Sequence, residues 1–286
     1  MIKVSAIITT HNRLQLLKRA IDSVLKQSYA NIELIVVDDH STDGTVEWCQ
    51  NNGINILRSP ERGGNKARNF GILNSTGDYI AFLDDDDVWF PTKIAKQIEL
   101  AETSGSGVIY CGLKKSIKLE TGWKYEEIYP IPLNQGDVSL RILQEIFTVT
   151  SALMVSRKSL EEAGLFDERL GFWQEYELSI RLAQFTNFSA VNEILVDYLV
   201  DLADQNRLTN KYAEWKKSVR RIHRKHRSLY RKLSPLEKIA AKRVEIWDGV
   251  RRSSNAGLDM RRRYNLLQLK LSFIAERLFV ILSKHK

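Results

Sequence analysis

Carboxylates arrive in three groups along this chain, and their placement is what could do chemistry. Asp38-Asp39 closes the apolar run Ile32 to Val37, and Asp84-Asp85-Asp86-Asp87 closes the run Tyr79 to Leu83. Glu175 and Glu177 open a later stretch with helical spacing. Four adjacent carboxylates repel one another, so a fold keeps them side by side only with compensation. A divalent cation is the simplest one, and hard oxygen donors suit Mn²⁺ or Mg²⁺. Lys66 and Arg68 follow Gly63-Gly64 at the start of a helix, where cations and backbone N–H groups meet phosphate. Gly44 and Gly63-Gly64 permit close backbone approach. Asp39 can accept from a base N–H or a ribose hydroxyl. Together these groups make a site for a nucleoside diphosphate. The plainer reading of Asp84 to Asp87 is an acidic turn ahead of the helix that follows Pro91.

Such groups meet only if the elements deliver them to one place. Lys3–Thr10, Ile32–Val37, Ile54–Leu57 and the apolar run ending at Asp84 read as buried strands. Helices are predicted between them. Leu14, Leu17, Ala20, Ile21, Val24 and Leu25 repeat at helical spacing behind Asn12 as N-cap. Val46–Asn52 forms a second helix, and Gly63-Gly64 opens a third that Gly77 ends. Strand–helix alternation predicts an α/β fold with a mostly parallel sheet covered on both faces. Open sheets of this kind bind ligands at the carboxyl ends of their strands, so Asp39 and Asp84–Asp86 should face one crevice. Beyond Pro91 the pattern predicts a helix to about Thr103, a strand at Val108–Cys111, and an excursion or hairpin over Lys114–Pro132. A strand over Thr148–Val155 and a helix over Glu175–Phe185 follow.

Composition narrows the setting. The chain has 286 residues, 43% hydrophobic, with a net charge of +8. From Arg207 onward 23 Lys/Arg face 6 Asp/Glu, a balance of +17, whereas residues 1–206 carry 20 against 29, a balance of −9. Two regions are therefore expected: an acidic catalytic domain over 1–206 and a basic, mainly helical region over 207–286. In the latter, Trp215, Val219, Ile222, His226, Leu229 and Leu233 form one helical seam, and Ser234-Pro235-Leu236-Glu237 reads as a capping box. Leu266–Leu282 is mostly apolar. Its polar residues fall in two stripes: Gln268, Ser272 and Glu276, and Lys270 with Arg277. Cys49 and Cys111 give neither a disulfide framework nor metal-ligand spacing. No leader or spanning helix is expected. The basic region suits an anionic membrane surface or a homo-oligomer; the acidic first domain disfavours nucleic acid.

Four segments in order carry a resemblance: Ile7-Ile8-Thr9-Thr10-His11-Asn12-Arg13; Ile35-Val36-Val37-Asp38-Asp39-His40-Ser41-Thr42-Asp43-Gly44-Thr45; Ala67-Arg68-Asn69-Phe70-Gly71; and Gly77-Asp78 through Val88-Trp89. With Gly164-Leu165-Phe166-Asp167-Glu168 and Trp173-Gln174-Glu175-Tyr176-Glu177, the chain from about residue 3 to 200 resembles glycosyltransferase family 2. The resemblance implies a GT-A fold and a nucleotide-sugar donor, here a UDP-sugar. It places Asp39 on the uracil, Thr10 and Asn12 along the nucleoside, and Asp84-Asp85-Asp86 in the D-x-D motif. Within that motif Asp84 points toward ribose and Asp86 toward the metal. Glu175 takes the position of the catalytic base. Here the sequence departs, reading Gln-Glu-Tyr-Glu where the family has Glu-Asp-x-Asp. Glu175 is one methylene longer than the family's aspartate, with Glu177 as the possible substitute.

An inverting transfer of a hexose or N-acetylhexosamine follows from the resemblance. The acceptor is expected to be a hydroxyl on a lipid-linked bacterial surface glycan, a capsule or O-antigen. Trp173, Gln174 and Glu177 are then candidate sugar or acceptor contacts, and the enzyme is expected on the cytoplasmic face of the membrane. A catalytically inactive nucleotide-sugar-binding protein is one alternative. A sugar nucleotidyltransferase is another, though Thr9-Thr10-His11-Asn12-Arg13 is not its glycine-rich loop.

Overall fold

The computed structural model describes residues 1–201, 211–255 and 257–283. Two units emerge. The first comprises residues 1–138, 147–169 and 174–201; the second comprises 139–146, 170–173 and the described residues from 211 onward. The expected boundary at 206/207 and the start of the basic region at Arg207 lie outside the described residues.

The first unit is a mixed α/β sheet. β1 (Val4–Thr10), β2 (Ile32–Asp38), β3 (Ile56–Arg58) and β4 (Tyr79–Asp84) run parallel in the order β3-β2-β1-β4. β1 is buried along nearly its whole length, as a strand covered on both faces must be. α1 (Leu14–Leu25) lays Leu17, Ala20, Ile21 and Val24 into a core shared with Val4, Ala6 and Ile8. Each large aliphatic side chain buried this way contributes about 1.5–3 kcal/mol. α2 (Thr45–Asn51) lies between β2 and β3 in sequence, and α3 (Gly64–Leu73) covers the opposite face of the sheet. α3 approaches so closely that a Cβ on Gly71 would fall 2.7 Å from Ile7 Cγ2.

Beyond β4 come β5 (Val88–Trp89), α4 (Lys93–Ser104), β6 (Val108–Leu119), β7 (Gly122–Ile128), β8 (Met154–Ser156), α5 (Arg157–Ala163), α6 (Gln174–Leu182) and β9 (Phe188–Asp201). The sheet continues β4-β8-β6-β9-β5, with β8 antiparallel to both neighbours and β6 parallel to β9. The excursion after β6 is a hairpin: β7 pairs antiparallel with the outer half of β6.

Three local expectations are corrected. Asn12 does not cap α1. The helix begins after Arg13 without a side-chain cap from that residue, and the Leu14 amide donates to Asp43 Oδ2 at 3.0 Å instead. Gly77 does not end α3, which stops at Leu73. Gly77 is needed for space, since a Cβ there would lie 2.5 Å from the Ser5 amide nitrogen. The strand expected to end at the aspartates is β4, and beyond it the Asp87 amide donates back to Asp84 O at 3.1 Å, closing a turn before β5. The expected strand over Thr148–Val155 is interrupted by a 3-10 turn at Thr150–Ala152 that precedes β8.

The second unit contains α7 (Tyr212–Lys225), α8 (Arg227–Lys232), α9 (Pro235–Asn255) and α10 (Asp259–Ser283). Trp215, Val219, Ile222, His226 and Leu233 of the predicted seam are buried, although the helix breaks at His226. The capping box forms: the Ser234 amide donates to Glu237 Oε2 at 2.8 Å and the Glu237 amide to Ser234 Oγ at 3.4 Å. Arg243 of α9 donates to Ser272 Oγ at 3.2 Å and pairs with Glu276, so that polar stripe of α10 is taken up within the unit. Among the described residues no helix is long and apolar enough to cross a membrane.

Candidate active site

The register sets the site. Thr10 stands beside Asp38, and Thr9 beside Asp84, so the ends of β2, β1 and β4 open on one edge. Asp38 is fully buried and accepts from the Ser41 amide at 3.0 and 3.2 Å, closing the loop after β2. Its neighbour Asp39 is half-buried. The Asp39 amide donates to Thr10 O at 2.8 Å, and its carboxylate accepts the Gly63 amide at 2.9 and 3.1 Å. Gly63 makes that bond from φ 132°, a conformation that favours glycine. The loops after β1 and β2 are pinned together by Asn12, at φ 52°, whose side-chain oxygen accepts the Thr42 amide at 2.7 Å. Lys66 pairs with exposed Glu61, and Asp39 also bears on its charge.

The four aspartates have different surroundings. Asp84 accepts from Arg68 Nη2 at 2.6 Å. Asp85, 5% exposed, accepts from Thr10 Oγ1 at 2.8 Å and from Arg13 Nη1 at 3.2 Å. Asp86 accepts from the same Arg13 nitrogen at 3.1 Å. Asp87 is buried, accepting from Ser151 Oγ at 2.5 Å and from the Leu199 amide at 2.9 Å, so it ties β4 to β9. The 3-10 turn explains itself here, because it aims Ser151 at Asp87 while Ser151 Oγ also takes the Asp84 amide at 3.1 Å.

Arg13 and Arg68 do not fully compensate this run. Burial, then Asp84 and Asp85, pushes the Asp86 carboxyl up to about 6. Burial also raises Asp85 against the pull of Arg13. A divalent cation suits that deficit, and aspartate oxygens are its usual donors. Among the described residues no three His, Cys, Asp or Glu side chains converge as a ready-made cage. An ion here would therefore use Asp86, with Asp84 nearby, and complete its shell from ligand oxygens and water.

Glu175, half-buried on the first turn of α6, belongs to this neighbourhood. Its charge bears on Arg68, as Asp84's does more strongly. It also bears on Tyr198, whose hydroxyl is raised by burial, then by Asp87, Glu175, Asp84 and Asp86. Arg13 and Tyr198 are site residues that the sequence reading did not assign. A cation just before α1, opposite an acid run, was a usable signal for Arg13. Tyr198, more than a hundred residues from the acids on β9, offered none.

Two candidate contacts are corrected. Glu177 is fully buried and bound by Arg181, with Nε at 3.1 Å and Nη2 at 2.9 Å. Arg181 in turn donates to the carbonyls of Ala163, Gly164 and Leu165 at 2.6, 2.6 and 2.7 Å. Glu177 is thus committed to holding α6 against the turn after α5. Trp173 belongs to the second unit, 7% exposed, its indole N–H donating to Asp248 Oδ2 at 2.9 Å and its ring set edge-on to Trp215. No ring face is open for a sugar. Gln174 begins α6 and is half-buried.

A parallel half-sheet with an acidic carboxyl edge, continued by a mixed half, is the arrangement of the GT-A transferases. Residues 5–164 match the model of Glycosyl transferase family 2, and the chain belongs to that family. It is 30% identical over 202 residues to an uncharacterized glycosyltransferase of Rickettsia felis, covering 68% of this chain and 33% of that one. The chain thus spans about a third of that relative's length. Over 106 residues it is 42% identical to the UDP-Glc:alpha-D-GlcNAc-diphosphoundecaprenol beta-1,3-glucosyltransferase WfaP of Escherichia coli, covering 35% and 41% of the two chains. The fold is similar to that of S. aureus TarS 1-349 in complex with UDP-GlcNAc, with TM-score 0.58, 16% identity and coverage of 95% and 89%.

Proposed function

We propose that this transferase moves a hexose or N-acetylhexosamine from a UDP-sugar to a hydroxyl of a lipid-linked bacterial surface glycan, with inversion. The observation that carries the reading is the gathering of Asp39, Asp84–Asp86 and Glu175 around one strand edge. WfaP, whose name states a UDP-glucose donor and a diphosphoundecaprenol-linked acceptor, supports the donor and the acceptor class. Asp39 would accept from the uracil imide, with Thr10 and Asn12 beside the nucleoside. Asp84 would face the ribose. Glu175 would take the acceptor's proton as its oxygen attacks the anomeric carbon, and one displacement with one base inverts that centre. Lys66, Arg68 and Arg13 would stabilise the charge that gathers on the leaving diphosphate. Bound at Asp86, Mn²⁺ or Mg²⁺ would supply further charge neutralisation. The purified chain with Mn²⁺, a panel of UDP-sugars and GlcNAc-diphospholipid is expected to release UDP and give a product of inverted configuration by NMR. Pyrophosphate release would assign a nucleotidyltransferase instead. Absence of turnover with every donor, despite UDP binding, would assign an inactive nucleotide-sugar-binding protein.

The second unit is proposed to rest on an anionic membrane, where such an acceptor resides. On α10, Met260, Tyr264, Leu267, Leu271 and Ile274 are exposed at steps of four and three, next to exposed Arg261, Arg262, Arg263 and Lys270. An apolar stripe flanked by cations suits the interface of a negatively charged bilayer, each near-surface cation adding about 1 kcal/mol. The same spacing is that of a coiled-coil seam, so a second copy is the other reading. Full-length protein is expected to float with anionic liposomes at low salt, and Leu267→Ser/Leu271→Ser to lose most of that binding. Failure of the wild type to float, with a dimer by sedimentation that the double variant dissolves, would replace the membrane by a second copy.

A further inference from the structure

The hairpin of the first unit carries a feature that nothing in the transfer mechanism uses. Trp123 and Tyr125 on β7 are 51% and 56% exposed, on the same face of the strand. Their rings are parallel to within 4°, with centroids 6.4 Å apart. Large aromatic rings left in water in this order are unusual, because each could bury 150–250 Å² elsewhere. The arrangement is also held. Lys114 Nζ sits 4.3 Å from the Tyr125 ring centroid, and Lys114 lies on the same face because Glu127 pairs with it.

The surroundings select the occupant. On β6 and β7 the residues sharing this face are polar, Lys118 opposite Trp123, Ser116 opposite Tyr125, and Glu127 opposite Lys114, and on β9 Leu199 lies between Asp197 and Asp201. Lys118 donates to Asp201 at 3.0 Å and Ser116 to Asp197 at 2.5 Å. Glu127 accepts from the Tyr129 hydroxyl at 3.0 Å. A lipid surface would want aliphatic neighbours and a cationic excess, whereas acids alternate with lysines here. Addition of a further strand is disfavoured by Lys124, Glu126 and Glu127 along the edge. Parallel rings framed by paired donors and acceptors match a molecule with apolar C–H faces and a hydroxyl rim, which is a chain of pyranose rings.

We infer that the β6–β7 hairpin is a carbohydrate-binding platform: Trp123 and Tyr125 stack against the rings of a glycan chain, and Lys118, Asp201 and Glu127 meet its hydroxyls. The inference deepens the reading of the protein as a glycan-modifying transferase and names an acceptor subsite made of rings away from the reacting hydroxyl. Both aromatic side chains are exposed, so their removal should leave the fold intact.

The test separates this site from the donor site. Cellotetraose, chitotetraose, maltotetraose and laminaritetraose are titrated against the full chain, read by saturation-transfer NMR and tryptophan fluorescence. At least one is expected to bind with a millimolar Kd. Trp123→Ala/Tyr125→Ala should weaken it at least tenfold, and Trp123→Phe less than threefold. UDP affinity and Tm should stay unchanged in all three proteins. No saturation transfer from any tetrasaccharide to wild type, or equal binding by the double variant, would overturn the platform. Loss of UDP binding by the wild type would instead count against the donor reading while leaving the glycan result to be judged by itself.

Discussion

Glu175→Gln is expected to lower kcat by about 10²–10⁴-fold, the usual contribution of a positioned general base. The amide keeps the size and hydrogen-bonding reach of the side chain and loses only its capacity to hold a proton. UDP-sugar affinity should change little, because Asp39 is held by the Gly63 amide and Asn12 by Thr42, on loops other than α6. Removing a negative charge that bears on Arg68 and Tyr198 should not harm the fold. The informative contrast is Glu177→Gln. That carboxylate is fully buried against Arg181, and breaking such a pair by removing one partner costs about 3–5 kcal/mol. Its signature should be a lowered Tm at a kcat close to wild type per folded molecule. Near-normal turnover in Glu175→Gln, measured as UDP released with saturating acceptor, would remove Glu175 from the role of base.

The contrast between these two glutamates shows what could be read in the sequence. Residues two apart on a helix are rotated by about 200° and so point to nearly opposite sides, and only one of them can face the crevice. Arg181, four residues after Glu177, was the visible hint that the second glutamate had a partner on its own helix. The parallel half of the fold was legible for a simple reason. Val4–Thr10, Ile32–Asp38 and Tyr79–Asp84 are mostly apolar, largely buried runs, and the second and third end where an acid begins. The four aspartates were legible as a cluster but not individually. Identical letters carry no record of the turn between Asp84 and Asp87 that sends one carboxylate inward to Ser151 and leaves another at the rim. Trp173 failed for the reason that hid Tyr198: its partner Asp248 is 75 residues away in sequence, and no local period encodes that distance. The interrupted strand at Thr148–Val155 had a good apolar pattern. Tertiary demand overrode it, since Ser151 must reach both Asp84 and Asp87.

Asp86→Ala is expected to abolish measurable turnover while leaving the metal-free protein at least as stable as wild type. The two halves of that result come from one cause. Burial and the neighbouring Asp84 and Asp85 make the ionised Asp86 carboxylate unfavourable in the fold, holding its carboxyl near 6. At pH 7 that amounts to about 3 kcal/mol of unfavourable charge, from about 1.4 kcal/mol per unit of displacement. That figure already includes the attraction of Arg13 at 3.1 Å. Deleting the side chain removes that load, and Arg13 keeps Asp85 as its partner at 3.2 Å. A divalent cation that Asp86 would hold would lose that carboxylate, so UDP affinity in Mn²⁺ should fall at least tenfold and cease to respond to a chelator. Calorimetry of UDP binding, with and without EDTA, reads the ligand half; thermal unfolding in EDTA reads the stability half. Wild-type UDP affinity that does not respond to EDTA would remove the metal from the donor site. A large drop in Tm on substitution would instead mean that Asp86 is a structural partner of Arg13 and not a carboxylate held ready for a cation.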